Sequence, residues 1–133
     1  MLAKYGYADT AYKLLLQSDA PGWLHEVGED ATTVWEIWTG IDENGKPHES
    51  LNHYSYGAIC GWLFGSVCGI QYADGTLTIS PTPDKSLGYA KDAYDSQTGR
   101  IVNGWRYDGD AVTYELEIHA IRQPMSPCLT GAG

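Results

Sequence analysis

Two short segments hold side chains that could do chemistry together. In the first, Thr33-Val34-Trp35-Glu36-Ile37-Trp38, one carboxylate lies between two indoles in an apolar stretch. Burial beside aromatic rings raises a carboxylate's pKa, which suits a glutamate to proton transfer near neutral pH. An amphipathic turn with Glu36 in water fits the same residues. In the second, Asn52-His53-Tyr54-Ser55-Tyr56-Gly57, His53 stands near a helix start. There it could bond a substrate hydroxyl, orient a water, or simply cap the helix. The aromatic usage points the same way: 10 Tyr and 5 Trp against 1 Phe. Tyr and Trp join an apolar body to a polar handle, as a pocket that stacks on a ligand and hydrogen-bonds to it requires.

Composition removes several function classes. The 133 residues carry 8 Lys+Arg and 17 Asp+Glu, a net charge of −9, and the pI is near 4.6. That balance argues against DNA, RNA or an anionic membrane as the main partner. No stretch approaches the ~18–20 apolar residues that cross a bilayer. The opening residues Met1-Leu2-Ala3-Lys4-Tyr5-Gly6 lack the pattern of a secretory leader, so a cytoplasmic location is expected. Cys60, Cys68 and Cys128 are too few for a disulfide scaffold. No metal site and no cofactor is expected.

The elements that must position these segments follow from periodicity. Leu2, Tyr5, Ala8, Ala11, Tyr12, Leu15 and Leu16 recur at helical steps, predicting one helix over Leu2–Gln17, ended by Ser18-Asp19-Ala20-Pro21-Gly22. Trp23–Ser50 has no clean period, and Asp42-Glu43-Asn44-Gly45-Lys46-Pro47 reads as a loop. A second helix is predicted from Asn52 to Gly69, with Ile59, Trp62, Leu63, Ser66, Val67 and Ile70 on one face. On such a helix Cys60 and Cys68 lie about 12 Å apart and cannot bridge. Then the period becomes two. Strands are predicted over Thr76–Ser80, Leu87–Tyr94, Gly99–Tyr107 and Val112–Ile118, with a hairpin turn at Asp108-Gly109-Asp110. Helices before antiparallel strands, with a boundary near Gly69–Asp74, mean an α+β chain or the ends of two domains.

Several motifs resemble a known family in the same order. Leu2-Ala3-Lys4-Tyr5-Gly6-Tyr7-Ala8-Asp9-Thr10-Ala11-Tyr12, Trp23-Leu24, Ala31-Thr32-Thr33-Val34-Trp35-Glu36 and Leu51-Asn52-His53-Tyr54-Ser55-Tyr56-Gly57-Ala58 resemble the C-terminal part of bacterial α-L-rhamnosidases of glycoside hydrolase family 78. Ile79-Ser80-Pro81-Thr82-Pro83 and Gly99-Arg100-Ile101-Val102-Asn103-Gly104-Trp105 resemble that family's C-terminal β-domain. The resemblance implies that residues 1–70 are the last helices of an (α/α)6 barrel. Residues 71–118 would be part of a β-sandwich. It implies that Glu36 is the general base of an inverting hydrolysis, that His53 contacts the sugar, and that Trp35 and Trp38 line the rhamnose pocket.

Inverting glycosidases need a second carboxyl group, the general acid, roughly 6.5–9.5 Å from the base. The family's acid motif lies far upstream and has no counterpart in this sequence; Glu26, Glu29 and Asp30 sit in a polar stretch without it. The expectation is therefore a fragment or truncated relative, inactive alone, that binds rhamnose or α-L-rhamnosides weakly if at all. The alternative is a non-catalytic carbohydrate-binding or self-associating module. A homo-oligomer would then bury an open barrel face bearing Trp35, Trp38 and Trp62. The sequence departs from the family at Ile37, Thr39, Gly61, Gly65 and Ser66. It departs most over 119–133, where Pro124 and Pro127 forbid a central strand and an out-of-frame tail is one explanation.

Overall fold

The computed structural model describes residues 2–96 and 99–120. The chain is α+β, with short helices first and two antiparallel sheets after them. The 3-10 turn Leu2–Tyr5 precedes α1 (Ala8–Leu15), and α2 spans Trp23–Gly28. The single helix expected over Leu2–Gln17 is thus interrupted at Gly6, whose φ is +85°. Tyr7 N–H donates to Leu2 O and Gly6 N–H to Ala3 O, the paired bonds of a Schellman stop, which favours glycine in the left-handed conformation. Helix α2 lies in a segment where no element was expected.

The second expected helix is also subdivided, into α3 (Tyr54–Gly57), α4 (Ile59–Trp62) and a π-helical turn, Leu63–Val67. Gly57, Gly61 and Gly65 recur once per turn here, and each glycine weakens a helix by about 1 kcal/mol relative to alanine. The π turn closes with Cys68 N–H on Leu63 O at 2.9 Å. Gly69 ends it at φ +74°. A Cβ there would stand 2.1 Å from Pro81 N, so both conformation and space demand glycine.

Strands β1 (Ile70–Ala73) and β2 (Thr76–Ile79) form a hairpin around Asp74-Gly75, both at positive φ, as a two-residue type I′ turn requires. Strand β1 was not anticipated. Strands β3 (Tyr89–Ser96), β4 (Gly99–Asp108) and β5 (Ala111–Ala120) make the second sheet, with β4 central. The register pairs Ala90 with Trp105 and Trp105 with Tyr114. Strand β3 starts two residues later than expected. Asp84 holds Leu87 and Gly88 in a turn, its side chain accepting from Ser86 N–H and its carbonyl from Gly88 N–H. Strand β5 runs through His119 and Ala120, whereas residues 121–133, with Pro124, Pro127 and Cys128, lie outside the described residues.

Tyr12 of α1, Val67 of the π turn and Trp105 of β4 form one buried cluster, flanked by Leu15, Trp62, Leu63, Leu87 and Val112. Trp62 meets Tyr12 edge-on at 5.1 Å. Helical and β segments therefore share a core. A row of hydrogen bonds joins them as well. Five consecutive carbonyls at the end of the π turn accept from outside it. Gly65 O takes Gln71 Nε2, Ser66 O takes Thr82 N–H, and Val67 O takes Trp105 Nε1 at 2.7 Å. Cys68 O takes Asn103 Nδ2, and Gly69 O takes Ser80 N–H. Carbonyls at a helix end have no intrahelical partner, and burying them unpaired is costly.

Candidate active site

Helix α2 and the irregular segment after it set the position of Glu36. Glu36 N–H donates to Ser50 O at 2.9 Å, and Ser50 N–H returns a bond to Glu36 Oε2 at 3.2 Å. Two residues away His53 N–H donates to Val34 O at 2.8 Å. These bonds tie 34–36 to 50–53 as adjacent strips of chain, so the two segments singled out in the sequence lie side by side. Glu36 and His53 are both half-buried. Between the strips, the loop is closed by Asp42, whose Oδ1 accepts from Asn44 N–H and Lys46 N–H and whose Oδ2 faces His48 Nε2 at 3.1 Å. The Lys46 amide, then the His48 ring, hold its carboxyl below the ordinary carboxylate range.

His53 is also the N-cap of α3, its Nδ1 accepting from Ser55 N–H at 3.4 Å. A ring that accepts at Nδ1 carries its proton at Nε2, which is then a donor. Tyr54 stacks on the same ring, with centroids 5.1 Å apart.

The aromatics divide into two groups. Trp38 is half-buried, stacks on Tyr56 at 4.1 Å and 21°, and meets Trp23 edge-on at 5.5 Å. Trp23 Nε1 donates to Tyr56 O at 3.1 Å, locking the trio. Trp35 departs from the expectation of a pocket-lining ring. It is 3% exposed, and its indole lies against Gly40, where a Cβ would come within 2.9 Å of the ring. Of the expected face, Trp35 is buried while Trp38 and Trp62 are half-buried.

Sequence reasoning missed Ser50 as a partner of the carboxylate. It also missed Glu26, which is 3% exposed and accepts from Trp35 N–H at 3.2 Å. Trp23 and Tyr56 stood inside the motifs without an assigned role. Among the described residues no cluster of His, Cys, Asp and Glu could hold a metal ion, and no helix is long and apolar enough to cross a membrane. A groove of about 590 Å³ crosses the larger sheet, lined by Tyr89, Lys91, Arg106, Thr113 and Glu115 among others; its lining includes neither Glu36 nor His53.

Residues 1–67 match the family described as the bacterial alpha-L-rhamnosidase 6 hairpin glycosidase domain. An alpha-L-rhamnosidase of Alteromonas sp. (strain LOR) is 32% identical over 125 residues, covering 89% of this chain and 14% of the relative. One from Formosa agariphila is 30% identical over the same shares. The crystal structure of Streptomyces avermitilis alpha-L-rhamnosidase complexed with L-rhamnose superposes with a TM-score of 0.74 at 28% identity, over 86% of this chain and 12% of that one. Native alfa-L-rhamnosidase from Aspergillus terreus gives a TM-score of 0.76 at 30% identity, over 86% and 14%. The chain spans about one seventh of the length of these relatives. Family model, relatives and fold agree, and the chain belongs to the bacterial α-L-rhamnosidase family of glycoside hydrolases.

Proposed function

We propose that this chain holds the general-base half of an inverting α-L-rhamnosidase site, acting on terminal α-L-rhamnosides, and that it does not turn over substrate alone. In this reading Glu36 deprotonates the water that attacks the anomeric carbon opposite the leaving group. Ser50 N–H holds one carboxylate oxygen and leaves the other to take the proton. His53 donates from Nε2 to a sugar hydroxyl. Trp38, braced by Tyr56 and Trp23, offers its indole to the apolar C–H face and methyl group of the 6-deoxy sugar. Trp35, buried against Gly40, packs the segment that carries Glu36. Residues 1–70 belong to the end of the helical barrel and 71–118 to the β-domain.

The observation that carries this reading is the pairing of 34–36 with 50–53, which brings Glu36 and His53 onto neighbouring strips inside the region matched to the family. The absence of turnover follows from the missing acid, since such groups contribute about 10²–10⁴-fold each. The test is hydrolysis of an aryl α-L-rhamnoside by the full chain. No release of the aryl group is expected. Release abolished by Glu36→Ala would keep the base and overturn the inactivity; release untouched by that change would overturn the base.

A second reading, a self-associating module, is favoured by one observation. Tyr114, Leu116 and Ile118 of edge strand β5 lie on the face that buries Trp105, yet are 50–57% exposed. Such a strip is a pairing surface for a second copy.

A further inference from the structure

Buried carboxylates are rare unless they are paired, and Glu26 is buried with no cation on it among the described residues. One oxygen, Oε2, accepts from Trp35 N–H; the other, Oε1, is buried and has no partner among the described residues. The core of a small domain does not need a carboxylate at that place. An alanine or leucine on α2 would pack without the cost of desolvating it. What Glu26 does is grip the backbone one residue before Glu36, on a segment where Val34 O and Glu36 N–H are already committed to 50–53. Three successive residues are thereby fixed: Val34 by His53 N–H, Trp35 by Glu26, and Glu36 by Ser50.

We infer that Glu26 is a positioning residue for the base: its carboxylate anchors the Trp35 amide to α2 and so sets the direction of the Glu36 side chain. The inference rests on the reading of Glu36 as the base. Helix α2 supports the anchor, since Ala31 N–H closes back on Glu26 O at 3.0 Å and fixes the residue's own backbone. The Trp35 indole, set against Gly40, fixes the other side.

The experiment is amide hydrogen exchange on the full chain, comparing Glu26→Asp and Glu26→Gln with the parent. Tyr107 N–H, which donates to Gly88 O far along the sequence, serves as the internal reference. Aspartate withdraws the oxygens by one bond length, so exchange at Trp35, Glu36 and Ser50 should quicken tenfold or more while Tyr107 is unchanged. The Ser50 amide resonance should also lose its shift from the Glu36 carboxylate. Glutamine supplies the same acceptor without the charge and should rescue all three amides to within twofold. A uniform rise that includes Tyr107 would mean a merely structural role and overturn the inference. Unaltered exchange in Glu26→Asp would overturn it too. Should Glu26→Asp not fold, Glu26→Gln decides alone, a tenfold loss of protection at Trp35 being the contrary result. No sugar enters the measurement, so failure of the anchor and failure of the glycosidase reading are separately visible.

Discussion

At the residue scale, the site is a carboxylate held by main-chain donors. Glu36 receives Ser50 N–H, and the strip behind it is held by Glu26 and His53 N–H. Backbone donors are a fixed feature of the fold, so the orientation of the Glu36 carboxylate depends on how 34–36 and 50–53 lie together more than on any single side chain. The loop joining them has its own pH dependence. The Asp42 carboxyl is depressed by the Lys46 amide and the His48 ring. A depressed folded value means that the stabilising contribution is present above the ordinary value of 3.8 and is lost as pH falls through the lower folded one. Amide protection at Asn44 and Lys46 should be level from neutral pH to about pH 5 and decay only in stronger acid. NMR exchange rates check this, and Asp42→Ala, which removes the acceptor, should show low protection at every pH. Cys68 makes a second test. Burial, then the Asp92 charge, pushes its thiol up to about 11, so it should resist alkylation at pH 8. Exposed Cys60 should react before Cys68, and peptide mass spectrometry would show Cys68 labelled only after unfolding.

At the element scale, five successive carbonyls at the helix end are joined to the β segments and the chain after β2. Asn103 and Trp105 of β4 satisfy two of them with buried side chains. Asn103→Leu should lower the unfolding free energy by about 1–3 kcal/mol in urea melts, because Cys68 O loses its donor. Gly40→Ala should cost a similar amount, about 1–3 kcal/mol, by forcing the Trp35 indole out of its place. Much of this scale was legible in the sequence. The change from a helical to a two-residue period, the stop at Gly69 and the Asp108-Gly109-Asp110 turn all emerge from local residue types. What the periodicity of apolar residues did not reveal was where glycines interrupt it. Gly6 stops a helix that periodicity alone would continue, and Gly57, Gly61 and Gly65 segment a second one. Helix α2 is six residues long, too short for an apolar stripe to show. Strand β1 hid in the assumed boundary, although Asp74-Gly75 between two alternating runs was a usable hairpin signal. In the candidate site, the roles proposed for Glu36 and His53 come from the family resemblance. Ser50 and Glu26 act through partners 14 and 9 residues away, and no local pattern carries that.

At the scale of the whole molecule, helical and β parts share the Tyr12, Val67 and Trp105 core, while β5 leaves an apolar strip uncovered. Self-association through that strip predicts a mass in sedimentation velocity that rises with micromolar concentration. Leu116→Lys and Ile118→Lys should return it to the monomer value. The groove on the larger sheet lies on other residues than Glu36 and His53, so sugar entering it would contradict the assigned site. That contrast gives the most direct measurement: titration of the full chain with L-rhamnose, followed residue by residue in amide spectra. The account predicts weak binding that perturbs Glu36, Trp38, His53 and Tyr56 together, and loss of that response in Glu36→Ala with the spectrum otherwise native. Shifts confined to Tyr89, Lys91, Arg106 and Glu115, or a response that survives Glu36→Ala unchanged, would contradict it.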